Sequence, residues 1–400
     1  MTSISVLSVF CVICVAYVSA GVISTSEEET RENFQKLALA NNELAFNLHR
    51  KLTSSSNKNV FFSPLSISTA FGMLFYGARG ETAEEKADLL NELVHDIFSR
   101  YFSEVLKGGD SSNGYVMNTA NSILVDKHFE LLEEYRRNVQ ELYRASVRDV
   151  DFGREAPRIV KEINDWVKEK TNGKIEKLLD DLSPATVLAL FNAVYFKGTW
   201  KTQFETSKTR NEVFYNNGLE SEAKKVPMMH VEKKFPVVFN RDFKALELPY
   251  KGENVSMLIL LPNNRDGLQA LEESLTSEIL TKIPEQMHPF KMSISLPKFK
   301  LEFEEELSRP LQALGANQIF SAGADLSGMI SSRGVSVSQV LHKAVIEVNE
   351  KGSEAAAVTG VIMFRSGPLS FKADHPFLFA ILEKGSKSNM VLFMGRVNNL

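Results

Sequence analysis

No cysteine lies beyond residue 14 of this 400-residue chain. Both cysteines, Cys11 and Cys14, fall within residues 1–20, which hold no Asp, Glu, Lys or Arg and are almost wholly apolar from residue 6 to residue 17. Val18-Ser19-Ala20 supplies small side chains where a signal peptidase needs them. The stretch therefore reads as a secretory leader, too short to span a bilayer, and the expected product is an extracellular chain beginning near Gly21. Such a chain holds no disulfide, thiolate nucleophile or cysteine-ligated metal. Without covalent staples its remaining residues, about 380 of them, must be held by a large core, which a chain of this length can build. The 27 Phe make that core aromatic-rich.

No low-complexity tract, proline-rich linker or internal repeat divides residues 30–400. Helical spacing of apolar residues marks 33–51, 63–76, 83–106 and 158–171. Ser63-Pro64 is a start signal, with the serine as N-cap and the proline in the first turn. Near-continuous apolar runs at 187–196 and 255–261 read as strands buried on both faces, as do 377–382 and 390–395. Residues 292–296 and 299–303 alternate, as half-exposed strands do. Helices first and long-range sheet later, without regular βαβ alternation, predict an α+β fold with mixed sheets and one domain over 21–400.

The motifs of common enzymes are missing from the sequence. It contains no GxSxG, HExxH, GxxxxGK[ST] or GxGxxG. The seven histidines are scattered, without the short spacing of a zinc site, so neither metal nor cofactor is expected. His342, in an apolar stretch, reads as a hydrogen-bonded core histidine. A net charge of −4 gives no reason to seek nucleic acid or an anionic membrane. The basic stretch 168–177 is interleaved with Glu and reads as a solvated helix edge, so glycosaminoglycan binding has no support here. Asn254-Val255-Ser256 is the one glycosylation sequon.

The segment from Glu347 to Asp374 does not fit a core. Gly352, Gly360 and Gly367-Pro368 interrupt it and favour a long irregular loop, the kind that more often carries function. Read with period two, one face carries Ser353, Ala355, Ala357, Thr359, Val361 and Met363, small and never charged. The other carries Glu354, Ala356, Val358, Gly360 and Ile362. Such a strand could slide between two others without burying a charge. Arg365 follows, flanked by Phe364 and Ser366, and is what a trypsin-like protease with an acidic specificity pocket cuts.

These features sit among motifs that resemble the serpin family over the whole mature length. They are Asn59-Val-Phe-Phe-Ser63-Pro-Leu-Ser66-Ile-Ser, Asn192-Ala-Val-Tyr-Phe-Lys197-Gly-Thr-Trp200, Leu296-Pro-Lys298-Phe, Gly323-Ala-Asp-Leu-Ser-Gly328, Val340-Leu-His342-Lys-Ala and Asp374-His-Pro376-Phe. The leader and cysteine-free chain are similar to secreted arthropod members, ticks among them. The resemblance implies about three mixed or antiparallel sheets, eight or nine helices and an exposed reactive-centre loop over about 350–370. It implies a monomeric suicide inhibitor, with no catalytic residue of its own, that traps a serine protease covalently by inserting the cleaved loop into the main sheet. A non-inhibitory binding, carrier or storage role is the alternative, and the small hinge residues favour inhibition.

Residue by residue, the resemblance makes Glu350 the base of the loop, with Lys298 as its partner. Gly352, Ser353, Ala355, Ala356, Ala357 and Thr359 match the hinge. Ser63, Ser66, Asn192 and His342 match the shutter, the polar network controlling sheet opening, and Trp200 the breach where the loop enters. Asn254 falls where some members carry a glycan. Family spacing from Glu350 puts P1, the residue before the scissile bond, at Ser366, which would suit an elastase-like target. Side-chain chemistry instead prefers Arg365 as P1 with Ser366 as P1′.

Overall fold

The computed structural model describes residues 27–54, 56–83, 88–104, 114–332, 334–351, 369–386 and 388–400. The leader with Cys11 and Cys14 lies outside the described residues, as do Gly352, Ser353, Ala355, Ala356, Ala357, Thr359, Arg365 and Ser366.

Fourteen strands form two hydrogen-bonded sheets among the described residues. The five-stranded sheet runs β10 (Phe299–Glu306), β11 (Gln339–Val348), β4 (Leu188–Gly198), β2 (Tyr115–Asp126), β3 (Ser146–Val150). The nine-stranded sheet runs β1 (Val60–Phe62), β14 (Met390–Val397), β13 (Phe377–Glu383), β8 (Val255–Pro262), β7 (Phe243–Pro249), β6 (Ala223–Phe239), β9 (His288–Pro297), β12 (Leu369–Lys372). Strand β5 (Arg210–Tyr215) pairs β6 off that path. About three sheets were expected. Two result because the 17-residue β6 pairs β5 and β9 and then passes the ladder to β7 at Val237–Phe239.

Eight α-helices of six residues or more accompany the sheets among the described residues. They are α1 (Glu27–Thr53), α2 (Pro64–Gly77), α3 (Asp88–Glu104), α4 (Glu133–Tyr143), α5 (Phe152–Lys170), α6 (Leu268–Ser274), α7 (Ser277–Gln286) and α8 (Ser308–Ala313). None is long and apolar enough to cross a membrane.

The apolar runs become the strands expected of them. Every residue of β8, β13 and β14 is buried, so nothing in their sequence needs to alternate. Helix α2 begins where Ser63 caps it: the Ser66 amide donates to the Ser63 side chain, and Pro64 occupies the first turn. It packs on β14 and β4, between the two sheets.

Helix α5 starts six residues before the expected 158 because Asp151 accepts from the Arg154 amide. Pro157 is tolerated inside, at the loss of one ladder bond near the helix start. Its Phe152, Ala156, Ile159, Ile163 and Val167 form a second core with the outer face of the five-stranded sheet. Ile175, Leu178, Leu179 and Leu182, just downstream, extend that cover across β4 to Leu341 and Val345 of β11.

Candidate functional site

Strands β4 and β11 run parallel in the middle of the five-stranded sheet, in register from Gln339 opposite Ala189 to Ile346 opposite Phe196. Each pairs antiparallel with its other neighbour, β4 with β2 and β11 with β10. Parallel bonds are slanted and slightly weaker per residue, so this seam is a weak joint. A strand joined to β11 by a tight turn and placed in the seam would run antiparallel to both banks. The chain leaves β11 at Val348 and reaches Glu350 at the end of that seam.

Three polar side chains cross the sheet in one row, because Asn121 lies opposite Asn192 and Asn192 lies opposite His342. All are buried, beneath the start of α2. His342 Nδ1 is 2.5 Å from Asn192 Oδ1, and the Ser63 amide donates to His342 Nε2 at 3.3 Å. The accepting Nε2 requires the neutral tautomer with the proton on Nδ1. Asn192 Nδ2 donates to Ser66 Oγ at 2.5 Å and to Asn121 Oδ1. Ser63 Oγ donates to the Leu392 carbonyl at 2.7 Å. Thus Ser63, Ser66, Asn192 and His342 meet in one network. Asn121, which sequence reasoning did not single out, completes it; nothing local marks it among Asn118, Thr119 and Ser122 of the same strand.

The His342–Asn192 bond is the side-chain link across the seam. Adding a strand would move β4 and β11 apart by about 4.8 Å and break it. Burial holds the His342 imidazole down to about 3. A solvated His342 takes a proton near pH 6.5, so an open or unfolded form binds one where the closed form does not. Stability of the closed seam is therefore full above about pH 6.5 and is lost as pH falls towards about 3, at up to about 1.4 kcal/mol per pH unit. His95, away from the seam in α3, is held down to about 3 by burial and by Arg79, and adds to the loss of global stability in the same window. Urea denaturation of His342→Gln between about pH 7 and 4 should show a shallower loss than the wild type. Identical pH slopes would refute the assignment to His342.

A second cluster closes the end of the seam. Trp200 Nε1 donates to the Asn349 carbonyl at 2.9 Å and stacks on Tyr250 at 4.5 Å. The Phe204 amide donates to the Glu350 carbonyl at 3.1 Å. The buried Glu350 carboxylate accepts from Lys298 Nζ at 3.0 Å and from Thr209 Oγ1 at 2.9 Å. Burial pushes that carboxyl up, but its hydrogen bonds and Lys298 outweigh burial and hold it below the usual range. Sequence reasoning placed Glu350, Lys298 and Trp200 here; Phe204, Thr209 and Asn349 come from the fold.

Seventeen residues, 352–368, join this anchor to β12. There the chain becomes an edge strand parallel to β9, pinned by buried Phe371 and by the Ala373 amide on the Ser295 carbonyl. Asn254 is exposed in the turn before β8.

One trio looks catalytic at first sight. Ser295 Oγ is 3.0 Å from His230 Nδ1, and Glu212 Oε1 is 3.0 Å from His230 Nε2. Yet Nε2 has no aligned hydrogen bond, and Ser295 sits mid-ladder between β6 and β12. The trio lacks the relay geometry of a hydrolase. Among the described residues no cluster of His, Cys, Asp and Glu could hold a metal ion.

The chain matches the family model described as Serpin (serine protease inhibitor) over residues 39–400. It is 40% identical over 395 residues to Iripin-8 of Ixodes ricinus, covering 94% of this chain and 97% of that one. It is 39% identical over 389 residues to Intracellular coagulation inhibitor 2 of Tachypleus tridentatus, covering 94% and 93%. The crystal structure of mouse protein-Z dependent protease inhibitor matches with a TM-score of 0.82 at 31% identity, over 94% of this chain and 100% of that one. A match of this extent in sequence and in fold means that the chain belongs to the serpin family of serine protease inhibitors.

Proposed function

We propose that this serpin is a secreted, monomeric suicide inhibitor of trypsin-like serine proteases. The observation that carries the proposal is the parallel seam between β4 and β11, with the loop's base anchored at its end. In this reading the target's serine Oγ attacks the Arg365 carbonyl carbon, and the Ser366 amine leaves. The ester keeps the protease attached to Arg365. The freed strand, starting at Gly352, turns at Glu350 and enters the seam antiparallel to both banks, drawing the protease along before water can hydrolyse the ester.

Ser353, Ala355, Ala357 and Thr359 then face the core, where small uncharged side chains cost least to bury. Glu350 and Lys298 hold the turn, Trp200 marks the breach, and the Ser63–Ser66–Asn192–His342 network must yield. The native form is a kinetic trap whose loop has not yet entered. The leader supports an extracellular site of action, and the exposed Asn254 is suited to carry a glycan.

The test is to incubate the mature chain with trypsin and, separately, with elastase, and to resolve the products on a denaturing gel. With trypsin, a band near the summed masses is expected, and the released C-terminal peptide should begin at Ser366. A peptide beginning at Gly367, with trapping of elastase, would make Ser366 the P1 residue. Cleavage without a stable complex would place the chain among non-inhibitory members.

A further inference from the structure

We propose that Glu305 is a positioning residue for loop insertion: it takes over His342 when β4 draws away, and holds the imidazole as a cation in the opened seam. The proposal deepens the inhibitory reading and rests on it.

The inner face of β10 is apolar at Phe299, Leu301 and Phe303, and the next position on that face is Glu305. A half-buried carboxylate there breaks the strand's alternation, in which Lys300, Glu302 and Glu304 are exposed on the other face. Its partner across the ladder is His342. The polar row Asn121–Asn192–His342 therefore continues to Glu305 at the edge of the sheet. Residues opposite one another in an antiparallel pair have Cβ atoms about 5 Å apart, within reach of a glutamate arm.

In the closed sheet both imidazole nitrogens are already taken. Nδ1 donates to Asn192 and Nε2 accepts from the Ser63 amide. Opening changes only one side. Strands β10 and β11 share eight antiparallel pairs, from Phe299–Val348 to Glu306–Leu341, and Glu306 Oε1 accepts from the Val340 amide at 3.2 Å. They move as one bank, so Glu305 stays beside His342 while Asn192 leaves with β4. The freed Nδ1–H then donates to the Glu305 carboxylate, a stronger acceptor than the amide it lost.

The surroundings leave this pair to itself. Towards His342, β4 presents Asn192 and the start of α2 presents Ser63, both uncharged. Burial and then Glu306 push the Glu305 carboxyl up, while Lys58, just before β1, pulls it down, so a cationic neighbour relieves it. Lys343 and Glu304 pair with each other at 2.8 Å on the outer face. Beyond β1, His49 and Arg396 are both committed to Glu272. A solvated imidazole takes a proton near pH 6.5, and an adjacent carboxylate raises that by about one unit. Opening is therefore favoured as pH falls from about 7.5, a unit earlier than it would be without Glu305.

The experiment uses the full mature chain as wild type, Glu305→Gln, Glu305→Asp, His342→Gln and the double variant, with trypsin as the probe from about pH 6 to about pH 8.5. At each pH the ratio of free cleaved chain to covalent complex gives ester hydrolysis relative to insertion. Hydrolysis belongs to trypsin, so comparing two chains at one pH compares their insertion rates alone. Wild type and Glu305→Gln should differ little at about pH 8.5, and wild type should insert about tenfold faster at about pH 6. Glu305→Asp should keep part of that gain, because it retains the charge on a shorter arm. In the His342→Gln background, Glu305→Gln should have no pH-dependent effect. A ratio of wild type to Glu305→Gln that does not change with pH would overturn the pairing and leave the inhibitory reading intact. So would a pH-dependent ratio that survives in the His342→Gln background. No covalent complex between wild type and trypsin at any pH would overturn the inhibitory reading, and the role of Glu305 with it.

Discussion

Nicking the native protein at Arg365–Ser366, with a protease that releases its product, should raise the melting temperature by about 20 °C. The seam now has one parallel ladder, spanning eight residue pairs from Gln339–Ala189 to Ile346–Phe196. An inserted strand replaces it with two antiparallel ladders. About a dozen newly ordered residues, at about 1 kcal/mol net per hydrogen bond, supply on the order of 10 kcal/mol. For a chain of this size about 2 °C accompanies each kcal/mol. Thermal scans of intact and nicked protein, each confirmed by the mass of the C-terminal peptide, measure the shift directly. Equal melting temperatures would mean that the strand never enters and that the seam has no mechanical role.

Ala355→Arg should convert the inhibitor into a substrate, cutting the yield of covalent complex per cleavage by more than about tenfold. On insertion this position faces the inner side of the sheet, where Leu190, Val194, Ala344 and Ile346 are all buried. An unpaired guanidinium there costs several kcal/mol. Every 1.4 kcal/mol of that cost that is felt during insertion slows it about tenfold, so hydrolysis of the ester overtakes trapping. Ala356→Arg provides the control. It points to the opposite face, where Lys300 and Glu347 lie in the open upper part of the sheet, so its loss should be much smaller. Equal trapping by Ala355→Arg and wild type would rule out burial of this face.

What could be read from local sequence follows a consistent physical line. Strands β4, β8, β13 and β14 were legible because burial on both faces leaves a near-continuous apolar run. The start of α2 was legible because an N-cap serine and a first-turn proline act locally. Strand β6 was not, because its four exposed lysines and two prolines resemble a loop until β5, β9 and β7 pair with it. Helix α4 was also missed, since only Tyr135, Val139 and Tyr143 of its eleven residues are buried.

The candidate site divides in the same way. The chain's own order of side chains determined that residues 353–363 could serve as a strand with one small, uncharged face, that Arg365 is a basic residue suited to a trypsin-like pocket, and that no thiol is present beyond residue 14. The tertiary structure alone decided that β4 and β11, about 150 residues apart in sequence, lie side by side and parallel. It also aligned Asn121, Asn192 and His342 in one row beneath Ser63 and Ser66. Propensity, capping and periodicity act over a few residues, whereas strand register is set by the packing of distant segments. The seam and its catch are therefore properties of the assembled sheet.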